Sequence, residues 1–217
     1  MADPTSELVD IVARLAPPEG VAWLMQKLLF DETTFHATFA AAGRRLGKAQ
    51  ISEADAERLA RIDLPWPVET GADEAGRAAL LVSAIGALEP RKHLPLVADL
   101  LRRGEVRERQ AVLRVLAVLP DPGRFVDAAI DAYRTNVRSV FDALACDNEF
   151  PARHFPDAAL FQMTLKALFV GAPVARIVGL PLRVTAELVR MVEAFASERR
   201  AAGRPVPSDV ELIREIR

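Results

Sequence analysis

The sequence is poor in the groups that most often announce chemistry. A single cysteine, Cys146, in 217 residues excludes an internal disulfide and favours a reducing compartment. There are three histidines, His36, His93 and His154, far apart in the chain and without the spacing of a metal pair. HExxH, CxxC, GxSxG, Walker and GxGxxG motifs are all absent, as are the Glu-x-x-His pairs of helical di-iron bundles. No catalytic residue, metal or cofactor is indicated. Charge of one sign is lacking too: the formal net charge is −2, which offers no global attraction to nucleic acid or anionic membrane. Long apolar runs are missing. The longest, Ala167 to Val178, carries Gly171, Pro173 and Arg176 and falls short of the roughly 20 residues that cross a bilayer. The opening residues, Met1 to Glu7, have no basic region and lead into no signal-like apolar run, so the expectation is a cytoplasmic protein without a membrane span.

What is present is a globular composition, 51% hydrophobic and 27% charged, written in one recurring pattern. Apolar residues fall at i, i+3, i+4 and i+7, the single face of an amphipathic helix. Examples are Leu8-Ile11-Val12-Leu15, Val21-Leu24-Met25-Leu28, Ala78-Leu81-Val82-Ile85, Val137-Val140-Phe141-Leu144 and Leu188-Met191-Val192-Phe195. No segment sustains the period-two alternation of a half-buried strand, so the expected class is all-α. The spacing predicts helices near 6–15, 18–29, 32–46, 52–62, 73–88, 92–103, 105–119, 122–133, 136–146, 156–170, 182–202 and 208–215. Fifteen prolines fall between these segments or in their first turns, where a missing N–H costs little. Ser6, Asp31, Asp121 and Ser208 stand as N-caps, Ser52 opens a capping box with Asp55, and Gly203 suits the position after the long last helix.

Short connections between helices favour antiparallel pairs. Val106-Arg107 followed by Val112, Leu113 and Leu116 is echoed by Val137-Arg138 followed by Phe141 and Leu144, about thirty residues on. That register resembles a HEAT-like α-solenoid over about 73–146; an irregular helical bundle fits as well. Pro65-Trp66-Pro67 before Gly71 is the expected seam between an N-terminal helical subdomain, 1–66, and a helical domain, 67–217, within one continuous unit.

Several side chains could bind something. The arginines at 102, 103, 107, 109 and 114 read either as a solvated face with salt bridges or as a site for an acidic ligand. Asn148, Arg153 and His154 lie in a polar turn, Cys146 to Pro156, that contains Pro151 and ends at Pro156, at the start of a helix whose free N–H groups favour acceptors. Gln162 and Lys166 share one face of that helix at i, i+4. Lys166 sits in an apolar run and is either a snorkelling lysine or one held near a carboxylate or ligand. Arg199 can reach the same turn if the helices at 156–170 and 182–202 pack antiparallel. The candidate ligand- or partner-binding set is therefore Asn148, Arg153, His154, Gln162, Lys166 and Arg199.

The run Asn148-Glu149-Phe150-Pro151, then Leu165-Lys166-Ala167-Leu168-Phe169-Val170-Gly171-Ala172-Pro173, then Ile177-Val178-Gly179-Leu180, resembles the EboA family. Glu198-Arg199 with Ala201-Ala202-Gly203-Arg204 continues the likeness over about 145–205. The resemblance implies a bacterial accessory protein of secondary-metabolite trafficking or processing. On that resemblance it would bind a small metabolite or a cluster partner such as a UbiA-like prenyltransferase or a TatD-like hydrolase. It implies no catalytic residues.

Overall fold

Helix ends in this chain are set by short acidic or hydroxyl side chains and by prolines. In the computed structural model, which describes residues 3–216, the first helix, α1 (Pro4–Leu15), begins at a proline in its first turn. Its cap is Asp3, whose carboxylate accepts from the Thr5 and Ser6 N–H groups. Ser6, expected as the cap, lies one turn inside and donates its hydroxyl to Asp3 instead. The carboxylate sits one residue before Pro4, where it reaches the free amides. After α2 (Pro18–Lys27), Asp31 gathers the Thr33 N–H and the Thr33 and Thr34 hydroxyls. That turn delays α3 to Phe35–Leu46, three residues later than expected. The Ser52–Asp55 capping box forms and opens α4 (Glu53–Ala60).

The remaining helices are α5 (Ala72–Ala87), α6 (Pro90–Arg103), α7 (Val106–Val115), α8 (Val126–Tyr133), α9 (Arg138–Ala145), α10 (Phe150–His154), α11 (Asp157–Val170), α12 (Ala186–Ala201) and α13 (Asp209–Glu215). Among the described residues there is no strand, and one isolated antiparallel bridge joins Gln50 to Gly71. The class is all-α.

Three further expectations are corrected. Asp121 adopts left-handed backbone and spends its carboxylate on Arg124, so Pro122–Phe125 forms a 3-10 turn before α8. Ser208 makes no capping bond; its neighbour Asp209 accepts from the Val174 N–H instead. The polar turn after Cys146 contains a short helix, α10, because Asn148 accepts from the Phe150 N–H and Pro151 fits a first turn.

Helix α5 lies at the centre, with every residue from Ala72 to Leu81 buried. Helices α1 and α3 pack on it from one side and α7 from the other; α7 then packs on α9, and α9 on α11. Helix α6 lies against α7 and α8, and α8 against α9, forming a second layer. Helix α12 packs on α11, and α13 packs on α12 and on the turn at Val174–Arg176. One apolar cluster runs from Leu8 of α1 to Ile213 of α13, crossing the Pro65-Trp66-Pro67 segment. Trp66 is buried and its indole N–H donates to the Arg114 carbonyl. Most residues of the apolar stripes face this cluster, whereas Met25 of α2 and Val137 before α9 are turned out to solvent.

Candidate functional site

Helix α11 is apolar on nearly every side, so the face that the core leaves over is apolar as well. Leu165 and Phe169 form one row of that face and Gln162 and Lys166 another, each pair at i, i+4. Gly171, at φ +72°, ends the helix in the left-handed region that glycine adopts without strain. Arg138, at the start of α9, donates to the Val170 and Gly171 carbonyls and so ties the two helices together.

Between this face, residues 135–141 and α12 lies an open groove of about 560 Å³. Phe141, Leu165, Phe169 and Phe195 make its apolar wall, and Phe169 is 65% exposed. Thr135, Asn136, Gln162 and two cations, Arg138 and Lys166, supply polar groups, and no carboxylate lines it. The Lys166 ammonium donates to the Tyr133 and Thr135 carbonyls, each at 2.7 Å, and lies 5.3 Å from the centre of the Phe141 ring. Desolvation pulls its pKa below the ordinary lysine value. Two main-chain dipoles and an aromatic face hold the charge in place.

Of the six residues singled out in the sequence, the structure brings Gln162 and Lys166 together in this groove. Arg199 stands behind it: its guanidinium lies 5.7 Å from the Phe195 ring and its Nε donates to the Pro205 carbonyl. Asn148 is turned inward, 4% exposed, with its amide donating to the Leu113 and Ala143 carbonyls at 2.9 Å. Arg153 forks onto Asp63 at 2.8 and 2.9 Å and also pairs with Glu149. His154 packs against Phe150 with ring centroids 5.0 Å apart, and burial and then Arg153 push its pKa down. Phe141 and Phe195 escaped sequence reasoning because their stripes were assigned to the core, and Phe169 was read only as part of the run that carries the family resemblance.

A second polar cluster lies on the central row. Asp73, fully buried, accepts from Arg77 Nη1 at 2.6 Å and from Arg107 Nε at 2.7 Å. Glu74 pairs with Arg107 at 3.1 Å and with Arg114 at 3.2 Å. The arginines at 102–114 are thus not one solvated face: Arg102 and Arg103 are exposed, but Arg114 is buried and Arg107 half-buried. Burial raises the Glu74 pKa despite its arginines, whereas for Asp73 the arginines outweigh burial and hold it down.

The chain matches, over residues 5–215, the family described as metabolite traffic protein EboA. It belongs to that family. The match reaches far beyond the stretch that carried the resemblance in the sequence and takes in both the groove and the charge cluster. No curated protein and no solved structure matches the chain. Among the described residues of this EboA-family chain, no three His, Cys, Asp or Glu side chains converge as a metal site would require, and no helix is long and apolar enough to cross a membrane. Cys146 is 2% exposed and burial pushes its thiol up to about 11, so it stays protonated at neutral pH.

Proposed function

We propose that this protein is a non-catalytic cytoplasmic accessory protein that holds a small, largely apolar metabolite in the groove between α9, α11 and α12. The observation that carries the reading is the exposed Phe169 beside Phe141, Phe195 and Leu165 in one trough, with the fixed Lys166 ammonium on its wall. An apolar trough with a few converging polar groups is the usual form of a small-molecule site. With Gln162 and Asn136 as neutral partners and no carboxylate in the lining, the polar end of the ligand would be an acceptor, neutral or anionic. The same lack of an acid or base beside Lys166 speaks against proton-transfer chemistry. The family's description as metabolite traffic supports a holding role. We take the chain as one working unit, its rows α5–α7–α9 and α6–α8 stacked in a HEAT-like manner.

Ligand retention tests this. The native protein and its Phe169→Glu variant would be purified from the producing cells and compared by native mass spectrometry. A bound small molecule in the native protein, lost in Phe169→Glu with the melting curve unchanged, supports the reading. An empty native protein, or equal retention in both, overturns it. The 65% exposure of Phe169 also favours a second reading, a protein-docking scaffold for a cluster enzyme such as a UbiA-like prenyltransferase or TatD-like hydrolase. In that case the variant loses a co-purifying protein instead.

A further inference from the structure

The charge cluster of the central row opens onto a groove of its own. About 660 Å³ of space lies between α3, α5 and α7, lined by Gly43, Arg44, Lys48, Asp73, Arg77 and Arg107 among others. Arg77 is 5% exposed. Its Nε donates to the Phe39 carbonyl and its Nη1 to Asp73, but among the described residues Nη2 has no hydrogen-bond partner. That nitrogen lies beside Gly43, where an added Cβ would stand 3.1 Å from it. The missing side chain of Gly43 keeps the way to Nη2 open.

Charge points the same way. Behind the groove three guanidinium groups, Arg77, Arg107 and Arg114, share two carboxylates, Asp73 and Glu74. Each guanidinium has a carboxylate beside it, but the cluster holds one guanidinium more than it has carboxylates, an excess that a bound anion offsets. On the rim Arg44 and Lys48 are exposed and take part in no ion pair among the described residues. Two carboxylates, Glu105 and Glu108, also line the groove, and Glu108 accepts from the Glu105 N–H at the start of α7.

We propose that the groove between α3, α5 and α7 binds a small oxyanion, the phosphate or carboxylate of a small molecule, on Arg77 Nη2 with Arg44 and Lys48 closing over it. Guanidinium and ammonium donors suit both groups, because charge-assisted hydrogen bonds to oxyanions are the strong ones. The site shares no lining residue with the Lys166 groove, so either can fail without the other.

Isothermal titration of the full chain with inorganic phosphate, and separately with acetate, tests the proposal, with chloride at matched ionic strength as reference. Saturable one-to-one binding of at least one oxyanion is expected, and the stronger of the two names the ligand class. Gly43→Ala should weaken that binding at least tenfold, since its methyl group covers Nη2, while alanine itself favours the helix. The double variant Arg44→Ala, Lys48→Ala changes only exposed side chains and should weaken binding as well. Heats of dilution alone with both oxyanions overturn the proposal. So does Gly43→Ala binding with unchanged affinity, or weak binding that is equal in native protein and both variants. If Gly43→Ala lowers the melting temperature, the double variant decides: retained affinity overturns the proposal, and lost affinity supports it.

Discussion

The Lys166 groove and the Arg77 groove lie on the same row of helices, yet the half-buried lysine of one and the buried arginine of the other are satisfied by different means. Lys166 reaches the Tyr133 carbonyl at the end of α8 and the Thr135 carbonyl in the link to α9, with an aromatic ring beneath it and no carboxylate in the groove lining. Arg77 is held by the carboxylate of Asp73, which Arg107 grips from the other side. Dipoles fix a charge while leaving the surrounding wall apolar; carboxylates fix it by making the wall ionic. The first arrangement suits an apolar guest with one acceptor, the second an anion. It also follows that the two sites differ in what holds them up. Asp73 and Glu74 brace α5 against α7 at the centre of the molecule, whereas Lys166 steadies a link near one edge.

Breaking the ionic brace should therefore have the largest effect. Asp73→Ala leaves Arg77 buried without its counter-charge and leaves Arg107 with Glu74 alone. Loss of one partner from a buried pair costs about 3–5 kcal/mol, and urea unfolding should show a fall of that size. A loss below about 1 kcal/mol would mean that the cluster does not hold α5 to α7.

Acid titration sharpens the comparison, because the two acids of the cluster respond oppositely. The Asp73 pKa is held below its ordinary value of 3.8, so its contribution is present above that value and is lost as pH falls through the lower folded value. The Glu74 pKa is raised above 4.5, so its ionised form costs stability at neutral pH, and this cost is relieved as pH falls towards 4.5. Glu74→Gln should accordingly destabilise the protein less at neutral pH than Asp73→Asn, and should remove the gain on mild acidification. Denaturant midpoints measured from pH 7 down to pH 3 check both signs; a larger loss for Glu74→Gln than for Asp73→Asn would reverse the assignment.

Lys166→Met comes next. It removes two charged hydrogen bonds to carbonyls but places a methionine in an apolar wall, which offsets part of the loss. Hydrogen bonds to charged groups contribute about 1.5–3 kcal/mol, so a net loss of about 1–2 kcal/mol is expected. An unchanged denaturation midpoint would show that water takes over both carbonyls and that the lysine's place is set by something other than the fold.

The helices were largely legible because their signal is local. A stripe such as Leu8-Ile11-Val12 needs only the 3.6-residue period to be read, and the Ser52–Asp55 box needs only three residues' separation. What was not legible depends on partners distant in the chain. Arg107 and Arg114 look like surface arginines until Asp73 and Glu74, some 34 and 40 positions away, are laid against them. A clue was present, since Asp73, Glu74 and Arg77 stand in an otherwise apolar helix, where charge is costly unless paired. Asn148 misled for the opposite reason. Its polar turn looks exposed, yet its amide is consumed by carbonyls of Leu113 and Ala143. Lys166 lay between the two cases: its apolar setting was plain, but nothing in the sequence says that the Tyr133 and Thr135 carbonyls would receive it.

The smallest effect is expected at an ion pair that resembles the Asp73–Arg107 pair in geometry and differs in burial. Arg153 grips Asp63 through both terminal nitrogens, and the partners lie ninety positions apart, so the pair ties α10 to the N-terminal third of the chain. Its guanidinium holds the Asp63 carboxyl below the usual carboxylate range. Both side chains remain more than 40% exposed, however, so water and salt screen the attraction and holding two mobile side chains costs entropy. Arg153→Ala should lower stability by no more than about 1 kcal/mol, and the difference from the native protein should vanish in 1 M salt, where the Debye length is about 3 Å. The Asp73→Ala loss should persist in the same salt. If Arg153→Ala instead proves as costly as Asp73→Ala and equally indifferent to salt, then bidentate geometry rather than burial sets the strength of these pairs, and the contrast between the two grooves rests on the wrong variable.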